Sequence, residues 1–150
     1  MVEAFKSGGY IALLHQANCF NTMNSGVARE IREQLPEAFA ADCMTVKGDV
    51  RKLGTFTYAE FHEYSGFVVN LYGQYNYGKD GKKYTQVINL EKALKGFVER
   101  FRVAGDLNLN VCIPRMGCGL GGADWDTELV PMIERQLIDC GFNVHVYDKE

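Results

Sequence analysis

Short, uninterrupted apolar segments alternate along this chain with longer segments whose apolar residues recur every three or four positions. Residues 10–15 (YIALLH), 109–113 and 142–147 are of the first kind, which is typical of strands buried on both faces of a sheet. Residues 27–39 and 87–101 are of the second kind, which is typical of helices with one buried face. The alternation predicts a three-layer α/β/α fold, a mostly parallel central sheet with helices on both faces.

The remaining segments complete this architecture. Residues 55–61 and 67–72 are rich in Thr, Tyr, Phe and Val and predict two strands or a hairpin. Pro36 is expected to interrupt or restart the first helix, and the second helix is expected to end near Gly105. Gly141 is expected to cap a last helix. The apolar residues of that helix are Leu129, Met132, Ile133 and Leu137.

Size and charge restrict the class of protein. The chain has 150 residues and no linker or repeat, which predicts one domain over residues 1–150. Its 16 basic and 19 acidic residues give a net charge of −3, which disfavours duplex-DNA binding and provides no strong nucleic-acid signal. It has no apolar run of membrane-spanning length and no signal-peptide pattern at its start. We expect a cytoplasmic protein without a membrane partner.

Cysteine and histidine spacing excludes the common metal sites. The five cysteines are odd in number and never form a Cys-x-x-Cys pair, which predicts reduced thiols rather than a disulfide framework or a zinc knuckle. The three histidines lack the close spacing of paired ligands. We therefore predict no metal site and no cofactor.

Two loops that follow apolar strands are the candidate functional segments, because ligands of such sheets bind beyond the carboxyl ends of the strands. Residues 15–26 (HQANCFNTMNSG) are rich in asparagine, and residues 114–122 (PRMGCGLGG) are rich in glycine. Glycine lets backbone N–H groups approach a phosphate, and a following helix adds its dipole. Ordinary turns also use glycine. The pattern matches neither the Walker loop nor the dinucleotide fingerprint.

These segments resemble those of the macro domain family, whose members bind ADP-ribose. Residues 14–18 (LHQAN) and 24–28 (NSGVA) stand where the family has its asparagine motif, glycine loop and helix. Residues 113–120 (IPRMGCGL) resemble its second, phosphate-binding loop, and Trp125 follows as in the branch that removes ADP-ribose from proteins. The resemblance extends over roughly residues 9–148 and implies one macro domain.

The resemblance also implies roles for individual residues. Asn18 matches the asparagine that holds the distal ribose and is a candidate catalytic residue as well as a ligand-binding one. Tyr147 stands where the family often has an aromatic residue beside the adenine. The backbone amides that would hold the diphosphate belong to Gly26, Val27, Gly117, Cys118, Gly119 and Leu120.

His15 replaces the first asparagine of the motif, as in the branch resembling ADP-ribose 1''-phosphate phosphatases. This favours a catalytic His15 and hydrolysis of ADP-ribose 1''-phosphate to ADP-ribose and phosphate. The alternatives are a non-catalytic ADP-ribose reader and a hydrolase that removes ADP-ribose from protein or nucleic acid. The partners implied are ADP-ribose and its derivatives, with ADP-ribosylated macromolecules as the alternative.

The chain departs from the family at three places. The lysine that the protein-directed branch uses after the middle strand is replaced within residues 70–74 (NLYGQ), and Gly121 stands where that branch has an aspartate. The Gly-Asp pair that recognises adenine does not precede the first loop. Asp49 comes too late to be assigned to it, and Asp148 is a weak substitute.

Several neighbouring side chains have both a functional and a structural interpretation. His15 is either a catalytic group or a hydrogen-bonded packing residue. Cys118 is expected to contribute its backbone rather than its thiol, and Trp125 to anchor a helix rather than shield a ligand. The tyrosines that either stack on a ligand or cover the sheet end are Tyr72, Tyr75 and Tyr77. Lys79, Lys82 and Lys83 are expected to form a solvated turn with a small steering effect.

Overall fold

A computed structural model describes residues 1–102 and 108–148. Five strands form one sheet in the order β2-β3-β1-β4-β5. β1, β3, β4 and β5 run parallel, and β2 pairs antiparallel with β3. The strands are β1 (Ala12–Ala17), β2 (Phe56–Phe61), β3 (Gly66–Tyr72), β4 (Asn110–Pro114) and β5 (Asn143–Tyr147).

Helices cover both faces of this sheet, which confirms the predicted three-layer fold. On one face α1, α2 and α3 pack with Leu13, Val68 and Cys112. On the other face α4 and α5 pack with Leu14, Val69 and Ile113. The helices are α1 (Val2–Lys6), α2 (Gly26–Gln34), α3 (Pro36–Cys43), α4 (Val87–Phe101) and α5 (Val130–Gln136).

The element predictions hold with shifted boundaries. Pro36 occupies the first turn of α3, where its missing N–H costs nothing, so it restarts the helix. The β2–β3 pair is a hairpin. Gly141, at φ 99°, caps the short helical turn after α5. The predicted end of the second helix near Gly105 lies outside the described residues, and the five-residue α1 was not predicted.

Parallel strand direction determines where a site can lie. The carboxyl ends of β1, β3 and β4 reach the same edge of the sheet, and both candidate loops leave from that edge. In the described part of the chain, no helix combines the length and the apolar character required to cross a membrane.

Candidate functional site

A cleft of about 760 Å³ opens at the carboxyl edge of β1 and β4, a volume typical of small-molecule sites. Its walls are the loop before α2, the loop after β4, and residues 74 and 77–79 after β3. All but one of the residues predicted to be catalytic or ligand-binding line it. Those lining residues are His15, Asn18, Gly26, Val27, Gly117, Cys118, Gly119 and Leu120.

Tyr147 does not join them. Its hydroxyl lies 2.6 Å from that of Tyr10, and its ring packs against the core beneath α1 to α3. Tyr147 lies at the carboxyl end of β5, as expected, but it lines a second, smaller pocket together with Tyr10 and His145. The Tyr147 side chain therefore does not line the cleft in which the other predicted residues lie.

Asn18 organises the first loop. Its Oδ1 accepts a hydrogen bond from the Phe20 backbone N–H at 2.8 Å, and its Nδ2 donates to Thr22 Oγ1 at 2.8 Å. The loop then enters α2 at Gly26, whose φ of +59° favours glycine. The first N–H groups of a helix have no intrahelical acceptor and carry partial positive charge, so this end of the cleft suits an anion.

The buried side chain of Lys52 hydrogen-bonds to this loop, a role that the sequence did not predict. The side chain is only 7% exposed, and its Nζ donates to Cys19 O at 3.1 Å and Asn21 Oδ1 at 2.6 Å. Burial lowers the pKa of the Lys52 amine, whereas the Asp42 carboxylate acts in the opposite direction. The contacts of Lys52 are distant in sequence, so no local pattern could reveal them.

The glycines of the second loop have different functions. Gly117 has a φ of +79°, and its carbonyl accepts a hydrogen bond from Thr85 Oγ1 at 2.9 Å. A Cβ at Gly121 would lie 2.2 Å from that hydroxyl, so the loop packs on Thr85 only with glycine there. A Cβ at Gly119 would meet nothing within 4 Å. Within the described residues, the amides of Gly119 and Leu120 donate no backbone hydrogen bond and are available to a ligand.

His15 lines the cleft but is held in the interior, only 1% exposed. Its Nε2 lies 2.6 Å from Asn70 Oδ1. Since Asn70 Nδ2 donates to Ala38 O and Thr57 Oγ1, Asn70 Oδ1 must accept, and His15 Nε2 carries the proton. Burial lowers the pKa of His15 to about 4, against a smaller opposing effect of Asn70. His15 is therefore neutral at pH 7.

The polar chain continues away from the cleft beneath α3. Thr57 Oγ1 lies 2.9 Å from the Tyr72 hydroxyl, which donates to Asp42 Oδ1 at 2.6 Å. Burial raises the pKa of the Asp42 carboxyl. Tyr72 is fully buried in this chain and cannot stack on a ligand. Tyr75 is held by Gly48 O, and of the three tyrosines considered from sequence only Tyr77 lines the cleft.

Two neutral amides, Gln16 near the end of β1 and Gln74 after β3, lie side by side, and residues 70–74 contain no lysine. Gln16 Nε2 donates to Gln74 Oε1 at 2.6 Å and to Thr85 Oγ1 at 3.0 Å, and both glutamines line the cleft. Gln16 Oε1 is buried with no hydrogen-bond partner. These amides can orient a hydroxyl or a water molecule, but unlike a lysine amine they cannot act as a nucleophile.

Few charged groups line the cleft within the described residues. They are the carboxylate Glu30 and the cations Lys79 and Arg115. Arg115 pairs with Asp148 at 2.6 Å and lies 5.7 Å from the Trp125 ring, which packs against the core and does not line the cleft. Cys118 is half-buried, and burial raises the pKa of its thiol to about 11. The Cys118 thiol is therefore protonated at neutral pH, and the Cys118 backbone N–H donates to Arg115 O at 3.4 Å within the loop.

Comparison with known proteins agrees with the sequence resemblance. The family model described as Macro domain matches residues 14–130. An uncharacterized 17.5 kDa protein of Enterobacteria phage T4 is 33% identical over 129 residues, which cover 84% of this chain and 79% of the phage protein. A DNA ADP-ribosyl glycohydrolase of Mycobacterium tuberculosis is 25% identical over 86% of this chain. The match covers only 34% of the mycobacterial protein.

Solved structures show the same fold. A macrodomain protein of Streptomyces coelicolor superposes with a TM-score of 0.69 at 23% identity, over 97% of this chain and 95% of the other. Thermosipho africanus DarTG, solved in complex with ADP-ribose, superposes with a TM-score of 0.73 at 17% identity, over 96% of this chain and 39% of that protein.

Proposed function

The chain belongs to the macro domain family, and on this premise we propose that its cleft binds ADP-ribose and that the protein is a hydrolase that releases ADP-ribose from a modified nucleic acid. The observation that carries the proposal is the convergence of two sets of backbone amides on one cleft. They come from the start of α2 and from Gly119 and Leu120.

The cleft suits the chemistry of ADP-ribose. A diphosphate between the two loops would accept hydrogen bonds from the amides of Gly26, Val27, Gly119 and Leu120 and would gain from the positive end of the α2 dipole. Asn18, at the end of β1, would orient the distal ribose. Glu30, on the cleft side of α2, offers an acceptor for hydroxyl or amine groups of the ligand.

Two observations favour a nucleic-acid substrate. The chain is 25% identical to the mycobacterial DNA ADP-ribosyl glycohydrolase over 86% of its length. The groups that the protein-directed branch uses are absent, since residues 70–74 contain no lysine and Gly121 stands in place of the aspartate. In the proposed reaction water attacks C1'' of the distal ribose, the bond from C1'' to the base breaks, and the proton from water is transferred to the released base.

Hydrolysis of ADP-ribose 1''-phosphate is the second candidate, because His15 lines the cleft at the end of β1. A neutral imidazole with a pKa of about 4 is a poor general acid at pH 7, so it would contribute by positioning the substrate or a water molecule. His15→Ala is then expected to lower turnover of ADP-ribose 1''-phosphate with little change in affinity for ADP-ribose.

A parallel assay tests these functions. Single-turnover reactions would use an ADP-ribosylated single-stranded oligonucleotide, ADP-ribose 1''-phosphate and an ADP-ribosylated protein, and calorimetry would measure ADP-ribose binding. We expect binding and fastest release from the oligonucleotide. Release only from ADP-ribose 1''-phosphate would support the second candidate, and binding without any turnover would identify a reader. No heat at millimolar ADP-ribose would contradict the proposed function as a whole.

A further inference from the structure

The segment after β3 forms a rigid third wall of the cleft. Its two ends are joined by the Gln74–Thr85 bridge and by the hydrogen bond from Gln86 N to Gly73 O at 2.7 Å. The backbone N–H groups of Tyr84 and Thr85 donate to Gly121 O, which ties the segment to the second loop. The tip of the segment therefore projects from an anchored base beside the phosphate-binding loops.

An aromatic cluster lies where this wall meets the Asn18 loop. The Phe20 ring contacts Tyr75 and Tyr77 edge-on, with ring centroids 5.0 and 6.4 Å apart. The Cys19 N–H donates to Tyr75 O, which joins the wall to the loop that carries Asn18. The cluster is thus adjacent to the part of the cleft assigned to the distal ribose.

Tyr77 is the member of this cluster that a ligand can reach. It lines the cleft and is 49% exposed, whereas the Tyr75 hydroxyl is occupied by Gly48 O. The Tyr77 backbone N–H donates to Asn76 Oδ1 at 2.8 Å, and Asn76 O accepts from Gln74 Nε2 at 2.8 Å. An exposed ring on a fixed backbone, with Phe20 against its edge, is a stacking surface that needs little reorganisation on binding.

Lys79 adds a positive charge two residues further along. It lines the cleft and has no ion-pair partner among the described residues. The other lysines of the segment are paired, Lys82 with Asp80 and Lys83 with Glu128. Lys79 is therefore available to an anionic ligand.

We propose that Tyr77 and Lys79 form a subsite for the nucleic-acid strand that carries the ADP-ribose, with Tyr77 stacking on a base and Lys79 contacting a neighbouring phosphate. This inference rests on the proposed function and identifies the residues that would bind the nucleic-acid strand attached to C1'' of the distal ribose. Proteins bind single-stranded nucleic acids through this combination, in which an aromatic ring stacks on a base and a cation contacts a phosphate. A phosphate group attached at C1'' has no π-face for Tyr77, and most peptide side chains have none.

Affinity ratios test the subsite without requiring turnover. The probes are ADP-ribose, a single-stranded oligonucleotide with ADP-ribose attached through a non-cleavable carbon link, and a peptide of similar length with the same link. Wild type is expected to bind the oligonucleotide probe about tenfold more tightly than ADP-ribose, since one stacked base contributes on this scale. Tyr77→Ala is expected to abolish that preference and leave ADP-ribose affinity unchanged, and Tyr77→Phe to retain it.

Lys79→Ala is expected to weaken binding of the oligonucleotide probe and to reduce its salt dependence by roughly 0.7 in logarithmic slope. Lys82→Ala, from the same segment but outside the cleft lining, is the matched control and should match wild type. Equal affinity of wild type for all three probes would overturn the subsite while leaving ADP-ribose binding intact. A preference for the peptide probe that Tyr77→Ala removes would also overturn it. Loss of ADP-ribose binding by Tyr77→Ala would place Tyr77 in the ADP-ribose site instead.

Discussion

His15 contributes to stability in a pH-dependent manner because its pKa falls from 6.5 to about 4 on folding, mainly through burial. Between these pH values the unfolded chain binds a proton at His15 that the folded chain does not. The contribution of His15 to the free energy of unfolding is therefore fully present above pH 6.5 and decreases as the pH falls towards 4.

We expect the free energy of unfolding of wild type to decrease by about 2 kcal/mol more than that of His15→Asn when the pH is lowered from 7 to 5. Urea unfolding at both pH values measures the difference. An equal decrease for wild type and His15→Asn would show that the His15 imidazole titrates normally in the folded protein.

Asn18 is predicted to contribute to ligand affinity. Asn18→Ala removes the amide that would orient the distal ribose, and it also removes the bonds to Phe20 and Thr22 that shape the loop. We expect ADP-ribose to bind about tenfold more weakly, roughly 1.4 kcal/mol, by calorimetry. Thr22→Val removes the bond between Asn18 and Thr22 but keeps the Asn18 amide, so it separates the loss of this loop contact from the loss of the ribose contact. Unchanged affinity in Asn18→Ala would exclude a ribose contact.

At the level of elements, the loop between β4 and the turn before α5 depends on glycine for two different reasons. Gly121 permits close packing, because Thr85 Oγ1 and Gly117 O leave no room for a Cβ. A Cβ at Gly119 would meet no protein atom, so glycine is required there only to leave room for a ligand. The two positions allow the stability of the loop to be separated from its binding function.

Gly119→Val is expected to fold with a thermal midpoint near that of wild type, because its Cβ meets no protein atom within 4 Å. Its ADP-ribose affinity should decrease at least tenfold, since the added side chain occupies space beside the diphosphate. Gly121→Val should instead lower the thermal midpoint. Calorimetry and thermal unfolding measure the two effects, and wild-type affinity in folded Gly119→Val would place the diphosphate elsewhere.

The sheet divides the whole molecule into two apolar cores, and the cleft is built from elements on both sides. α2 belongs to the layer above one face, whereas α4 and the second loop belong to the other. A ligand that bridges the two loops contacts both layers. A ligand that binds only when both loops are folded stabilises the folded state against global unfolding.

ADP-ribose at a hundredfold excess over its Kd is expected to stabilise the folded protein by about 2.7 kcal/mol, which raises the thermal midpoint of a chain of this size by roughly 5–10 °C. Differential scanning fluorimetry measures the shift. ADP, which lacks the distal ribose, should give a smaller shift at the same concentration. Gly119→Val, with affinity lowered at least tenfold, should be stabilised by at most about half as much at the same ADP-ribose concentration. A midpoint independent of ADP-ribose would contradict binding to the native state.

The sequence by itself determined the layers, the strands and the two loops, because each depends on local periodicity or on the conformations that glycine and proline permit. Residues 10–15, Pro36 and the 114–122 loop carry their signals within a few positions. The resemblance to macro domains rests on the same short motifs. Locally encoded features of this kind are readable before any tertiary contact is known.

Only the tertiary structure decided which side chains of these segments reach the cleft. Alternate residues of a strand project to opposite faces, so adjacent His15 and Gln16 have different neighbours, Asn70 and Thr85, which are distant in sequence. The burial of Lys52 beneath the first loop and the direction of Tyr147 likewise depend on packing between distant segments. Strand order and register create these contacts, and no single segment of the chain encodes them.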